Sequence, residues 1–155
     1  PETYLKASEG TKSLRIQGYL RAFLERGIEP DGELIFPTGL MMSEAGIRTA
    51  RKMLSRGLIP DAVICLNDAL ALGALHELQL HGISVPEEVQ LIGFDNVPES
   101  KLSNPAITTI DPHVQDYARH AVDMLIDRIH GDGQPARIYT SEFELIQRET
   151  TRLQA

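Results

Sequence analysis

The sequence predicts an α/β protein built on a doubly wound parallel sheet, and three observations carry that prediction. Two short runs of continuous apolar character, "DAVICL" (61–66) and "VQLIGF" (89–94), read as buried strands. Segments with apolar side chains at steps of three and four precede and separate them, each roughly a dozen residues long. These two kinds of segment alternate, which is the pattern of right-handed βαβ crossovers in a parallel sheet.

Each element follows from its own residues. From about Ser8 to Arg26, Ile16, Leu20, Phe23 and Leu24 share one helical face, and Gly27 supplies a stop signal. "ELIF" (33–36) is short and apolar and reads as a strand. "PTGLMM" leads from it to Ser43, a capping residue for a helix that carries Ile47, Ala50, Met53 and Leu54 and ends at Gly57. After "DAVICL", Asp68 reads as the cap of a helix with Ala71, Ala74, Leu75 and Leu78 on one face, ending near Gly82. Gly73 inside that helix costs about 1 kcal/mol relative to Ala, so it points to the close approach of another backbone. Beyond "VQLIGF" a loop punctuated by Pro98, Pro105 and Pro112 precedes the strongest helical pattern. Val114, Tyr117, Ala118, Ala121, Val122, Leu125, Ile126 and Ile129 recur there at helical steps. "GDGQP" breaks this helix, and "FELIQR" alternates enough to close the chain as a strand near a sheet edge.

Bulk properties narrow the function. With 155 residues, 42% hydrophobic and 24% charged, the chain supports one soluble domain. Its apolar runs are far shorter than a membrane span, and no charged-then-apolar leader opens it. A net charge of -7 and a pI near 5.2 repel phosphate backbones, so this chain is not expected to grip DNA itself. Cys65, the single cysteine, lies within "AVICL" with no Lys, Arg or His beside it, which fits core packing in a reducing cytoplasm rather than redox chemistry.

Catalytic patterns are missing. "EGTKS" (9–13) lacks the earlier glycine of a phosphate loop, and Gly10 is not followed by Lys. The five histidines have no metal-ligand spacing with a Cys or carboxylate. There is no Gly-x-Ser-x-Gly elbow, dinucleotide fingerprint or Cys/His pair. No enzyme activity, metal or cofactor is expected.

Two polar residues stand where a ligand would meet such a sheet. Asn67 follows "AVICL" directly, and Asp95 ends the run "LIGF". Ligands of open α/β sheets bind outside the carboxyl ends of the strands. A carboxylate accepts hydrogen bonds from two hydroxyls and an amide both donates and accepts, so this pair suits a polyhydroxy ligand. The same two residues serve equally well as caps of loops or helices, and the pattern alone leaves both roles open.

The stretch "PDAVICLNDALALGALHELQLHGISVPEEVQLIGFDNVPESKLSNPAITTID", with "ARHAVDMLIDRI" and "ELIQRETT", closely resembles the C-terminal part of bacterial repressors of the lactose/galactose-repressor (LacI/GalR) family. Upstream, "RIQGYLRAFLERGIEPDGELI" is similar to the family's helix and strand, so the likeness runs from about Lys12 to Arg152. It implies a periplasmic-binding-protein-like fold in which two α/β lobes close on a small effector, usually a sugar. It further implies a cytoplasmic homodimer that meets operator DNA through a helix-turn-helix domain outside this chain. Residues 1–155 would then be the C-terminal lobe, with the helix over 113–130 belonging to the first lobe.

Carried over by position, the resemblance gives Arg15, Asn67 and Asp95 to the effector pocket. Met41 stands five residues before Gly46, where several members place an aromatic ring. The family likeness puts homodimerisation on the helices over 43–56 and 69–81, with Ala71, Gly73 and Ala74 permitting close approach. It makes the backbone that Gly73 approaches either a second subunit or the sheet. Helix 113–130, without its lobe, is expected to pack on another copy or fold back onto its own sheet. A transport-type sugar-binding protein of the same fold, and less readily an α/β enzyme, are the alternative readings.

Overall fold

The computed structural model describes residues 10–131, 133 and 135–152. It divides into two compact units, Pro1–Leu40 and Met41–Ala155.

In the first unit, helix α1 spans Thr11–Leu24 and buries Leu20, with the Tyr19 and Phe23 rings 4.8 Å apart one turn later. Gly27, at φ 68°, follows it. The strand expected of "ELIF" does not form. The Asp31 carboxylate accepts a hydrogen bond from the Glu33 backbone N–H (2.9 Å), and Gly32–Leu34 closes into a single 3₁₀ turn. This local bond competes with an extended ladder, and Leu34 stays exposed.

The second unit holds the sheet. Helix α2 spans Ser43–Ser55, strand β1 Ala62–Ile64, helix α3 Asp68–Leu80, strand β2 Gln90–Phe94, helix α4 Pro98–Leu102, strand β3 Thr108–Asp111, helix α5 Val114–Ile129 and strand β4 Glu144–Ile146. The strands lie in the order β1-β2-β3-β4. The first three are parallel, in register at Ile64↔Ile92 and Phe94↔Ile110, and β4 runs antiparallel to β3. The sheet is therefore mixed, with the closing strand at an edge as "FELIQR" predicts. β1 is the opposite edge rather than a buried strand: Ile64 is 60% exposed, while Leu91 on the neighbouring β2 is fully covered.

Both expected caps move by one residue. Met42 and Asn67 hold the extended backbone at the cap positions, and Ser43 and Asp68 are already inside their helices. The Asn67 side-chain oxygen accepts from the Leu70 N–H at 3.0 Å, which is the capping bond. Asp68 is thereby freed for a different role.

The core lies where α2 packs on α3 and α3 packs on β2. Ala45, Ala50, Cys65, Leu70, Ala71, Ala74, Leu75, Leu91 and Ile107 form one buried cluster. The close approach signalled by Gly73 is real, but its partner is neither a second subunit nor the sheet. A Cβ at Gly73 would overlap the Ser43 carbonyl oxygen and stand 2.8 Å from its carbon, and one at Gly46 would stand 3.0 Å from the Leu70 carbonyl carbon. Two glycines thus let α2 and α3 touch backbone to backbone. Ala71, Gly73 and Ala74 are spent on this internal contact, so they offer no surface to another copy. An ion pair closes its far end, where Arg51 donates to both carboxylate oxygens of buried Glu77 at 2.8 and 3.0 Å.

The tail after β4 ties the sheet together. Buried Thr150 accepts from Thr108 N–H (2.8 Å), donates its hydroxyl to Leu91 O (2.7 Å), and its carbonyl accepts from Leu91 N–H (2.9 Å). Helix α5 spans nearly the range its periodicity predicts, but it does not fold back onto the sheet, for no residue of it is buried. Residues beyond it lie alongside: the His120 and Tyr139 rings are 4.0 Å apart, and Arg137 pairs with Asp127 at 3.0 Å.

Candidate functional site

The β1–β2 register fixes where Asn67 and Asp95 stand. Asn67 lies three residues past Ile64 and Asp95 three past Ile92, the paired residues that end the β1–β2 ladder. Both residues leave the carboxyl edge of the sheet side by side, as ligand-contacting residues of such sheets do.

Asn67 is held at both ends of its amide. Its oxygen caps α3, and its nitrogen donates to the carbonyl of Met41 at 3.0 Å. Two of the sequence-predicted residues are therefore joined directly, with Met41 packed partly against the core cluster. One N–H and one lone pair of Asn67 remain for a ligand. Arg15 is carried by α1 in the other unit and is half-buried.

Asp95 sits in backbone that L-residues rarely adopt, with φ 111°, and Asn96 follows at φ 52°. The Asp95 N–H donates to Ile110 O at 2.9 Å, so the turn hangs on β3. Beneath it lies Asp68, fully buried, whose carboxylate accepts from the Thr109 hydroxyl (2.6 Å) and the Val97 N–H (2.9 Å). Gly93 makes room for this carboxylate, since a Cβ there would collide with it.

A second set of bonds surrounds Asn96. Its amide nitrogen donates to Asp111 Oδ2 at 2.8 Å, and its oxygen accepts from Arg148. The Asp111 carboxylate also accepts from the His113 N–H at 2.8 Å. Burial pushes the Asp111 carboxyl up, but the bonds from Asn96 and His113 and the charges of His113 and Lys101 outweigh it and hold the group below the usual carboxylate range. It therefore stays an anionic acceptor at neutral pH.

Between these strand ends and the start of α5 opens a cleft of about 630 Å³, lined by Asp95, Asn96, Lys101, Asp111, His113 and Gln115 among others. An apolar hollow of about 320 Å³ is lined by Phe94, Ile110, Pro112 and Phe143. Carboxylates, an amide and a cation around a wet cleft can satisfy several hydroxyls of one small molecule. Among the described residues no group of His, Cys, Asp and Glu is arranged to hold a metal.

Sequence reasoning missed Asp68, Asn96, Asp111 and Arg148. Asn96 had a signal, since "GFDN" puts two polar residues at one strand end. Arg148 had none, because it meets Asn96 from 52 residues away.

The fold defines an α/β domain with a polar cleft at the carboxyl edge of its sheet, and comparison with known proteins makes the class specific. The periplasmic binding protein-like domain family matches residues 5–151. The chain is 30% identical over 142 residues to the HTH-type transcriptional repressor PurR of Pasteurella multocida (strain Pm70), covering 92% of this chain and 42% of that protein. It is 35% identical over 138 residues to the HTH-type transcriptional repressor CytR of Escherichia coli (strain K12), covering 89% and 40%. In structure it is similar to a LacI-type transcription regulator from Bifidobacterium animalis subsp. lactis DSM 10140, with 54% identity, a TM-score of 0.95, and 99% of this chain against 55% of that one. It is also similar to the transcriptional regulator CelR in complex with cellobiose, at 31% identity and a TM-score of 0.81, over 88% and 41%. The chain belongs to the periplasmic binding protein-like domain family, within the LacI/GalR group of regulators. It spans about two-fifths of the length of the curated relatives it matches. Those relatives are transcription regulators, not enzymes. Among the described residues no helix is long and apolar enough to cross a membrane.

Proposed function

We propose that this chain is the C-terminal part of the effector-sensing domain of a bacterial transcriptional repressor, and that its effector is a sugar or a sugar-like small molecule. The observation that carries this reading is the register that sets Asp95 beside Asn67 at the carboxyl edge of the parallel strands, over a polar cleft. Asp95 binds hydroxyl groups of the effector from this cleft, and Asn67 offers its remaining amide valences at the neighbouring strand end. Met41, hydrogen-bonded to Asn67, forms an apolar wall, and Arg15 is assigned to the effector by the family resemblance alone. Met offers a softer surface than a ring, so this wall selects less sharply among flat ligands.

The protein as a whole is a cytoplasmic homodimer without enzymatic activity, and it meets operator DNA through a helix-turn-helix domain outside this chain. Effector binding biases the equilibrium between two lobe arrangements and thereby the affinity for operator. The polar lining of the cleft and the cellobiose in complex with one structural neighbour support a sugar.

The test is calorimetric titration of the full-length protein and its Asp95→Ala and Arg15→Ala variants with a panel of mono- and disaccharides. Losing a charged hydrogen-bond partner removes about 1.5–3 kcal/mol, so the dissociation constant should rise roughly 10- to 150-fold while operator binding persists. Unchanged affinity in both variants refutes the site.

A further inference from the structure

Asp95 and Asn96 are consecutive non-glycine residues at positive φ, 111° and 52°. Asparagine tolerates the left-handed region, but φ 111° lies outside it, so the turn persists only because its surroundings impose it. Backbone bonds supply part of that hold, from Asp95 N–H to Ile110 O at 2.9 Å and, weakly, from Asn96 N–H to the Thr109 hydroxyl at 3.4 Å. The Asn96 side chain adds to that hold. It is fixed from opposite sides by Asp111 Oδ2 and by the Arg148 guanidinium.

Arg148 is unusual in its company. Its Nη1 donates to Ser100 Oγ (3.0 Å) and Ile107 O (2.8 Å), and its Nη2 to Asn96 Oδ1. It is half-buried, and among the described residues none of these partners carries a charge. A guanidinium that is not neutralised by a carboxylate makes charge-assisted bonds to each acceptor, and its planar fork fixes their directions. Its own N–H donates to Thr108 Oγ1 at 2.9 Å, so the fork is anchored at the edge of β3.

We propose that Arg148 is a positioning residue for effector recognition, acting through Asn96 to hold Asp95 in the conformation that lines the cleft. The proposal rests on the reading of Asp95 as an effector ligand. It gives the tail after β4 a part in the site. The network also joins three places at one end of the sheet: the Asp95–Asn96 turn, Asp111 with His113 before α5, and Arg148 after β4.

The experiment uses the full-length protein with Arg148→Met, Arg148→Lys, Asn96→Ala and the Met/Ala double variant. Amide hydrogen exchange is followed at Asp95 and, as a reference in the same sheet, at Cys65, whose N–H donates to Ile92 O at 2.9 Å. Affinity is titrated with cellobiose and with glucose. Arg148→Met and Asn96→Ala should each speed exchange at Asp95 at least tenfold and leave Cys65 within twofold. Each should weaken binding of the sugar that the wild type takes at least tenfold. The double variant should be no worse than either single one, since both remove one link. Arg148→Lys, which keeps the charge without the fork, should fall between. Parallel acceleration at Asp95 and Cys65, or additive losses in the double variant, overturns the proposal and leaves Arg148 a general tie of the sheet. If Arg148→Met does not fold, Arg148→Lys and Asn96→Ala decide the same question. A wild type that binds neither sugar counts against the sugar reading, while the exchange measurements still decide whether Arg148 holds the turn.

Discussion

Asp68 shows how much depends on a single buried carboxylate. It is fully covered, and its two oxygens take the Thr109 hydroxyl and the Val97 N–H, joining α3, β3 and the loop that follows β2. Replacing it with Ala leaves two donors without partners in a closed site, at roughly 1–3 kcal/mol each. Asp68→Ala should therefore lower unfolding stability by about 2–5 kcal/mol, and Asp68→Asn, which keeps one acceptor, should fall in between. Urea unfolding measures this, and a loss under about 1 kcal/mol in the Ala variant would show the two bonds to be replaceable by water. Cys65 is the opposite kind of residue. Burial, reinforced by the negative charge of Asp68, pushes its thiol up to about 12. It should resist thiol reagents at pH 8 in the folded protein and react only as fast as the chain unfolds. Rapid labelling under native conditions would contradict its place in the core. At this scale the sequence was legible where chemistry is local. "AVICL" without a neighbouring cation already marked Cys65 as a core residue, and the polarity after each apolar run placed Asn67 and Asp95 at the carboxyl ends of their strands. The cap of α3 was read one residue late because Asn67 and Asp68 are both good capping residues, and only packing decides which one turns inward. Arg148 was out of reach, since its partners come together only when β2, β3 and the tail meet.

Among the elements, the crossing of α2 and α3 has the tightest tolerance. A methyl at Gly73 or Gly46 meets backbone, which cannot rotate away, so the helices must separate. Gly73→Ala should destabilise by about 1–3 kcal/mol despite its higher helix propensity, with Gly46→Ala similar. An unchanged urea midpoint in both would mean that α2 shifts freely over α3. The Arg51–Glu77 pair at the same interface makes a pH-dependent link. The hydrogen bond and charge of Arg51 hold the Glu77 carboxyl below its ordinary 4.5, against the opposing effect of burial. A depressed carboxyl contributes stability above its unfolded value and loses it as pH falls through its folded value. Arg51→Ala should therefore unfold at a lower temperature than the wild type near neutrality, and the gap should narrow below about pH 4.5 as Glu77 is protonated in both. A gap constant down to pH 3 would assign the effect to the packing of the arginine stem instead. The longer helices α1, α2, α3 and α5 and the strands β1 and β2 were legible because their apolar patterns run over several residues, whereas the short α4 and β3 fall in the stretch read as a proline-punctuated loop. "ELIF" was not: its four residues carry the composition of a strand, but the Asp31 side chain and the turn it caps settle the conformation. Gly73 announced a close contact without naming its partner, since a glycine records only that something must fit.

For the molecule as a whole, α5 is the element whose sequence and surroundings disagree. Its eight recurring apolar side chains demand a core, yet none of its residues is buried, with Val122, Leu125 and Ile129 at 54%, 59% and 71% exposure. Together with their neighbours they form a stripe on the order of several hundred Å², near the upper limit for soluble monomers. Among the described residues, Tyr139 and Arg137 meet its polar flank, at His120 and Asp127. A chain of these 155 residues should therefore self-associate through α5 when produced alone. Sedimentation should show a mass that rises with concentration, and Leu125→Glu with Val122→Glu should return it to a monomer without lowering the unfolding temperature, because both side chains are more than half exposed. The relatives extend well beyond the residues matched here, so in the full-length protein the same two substitutions meet whatever covers this face. There they should destabilise, by roughly 1–3 kcal/mol for each apolar side chain replaced by a charge. If the isolated chain stays monomeric at high concentration and the full-length protein tolerates both glutamates, α5 is a solvated helix whose periodicity serves no contact.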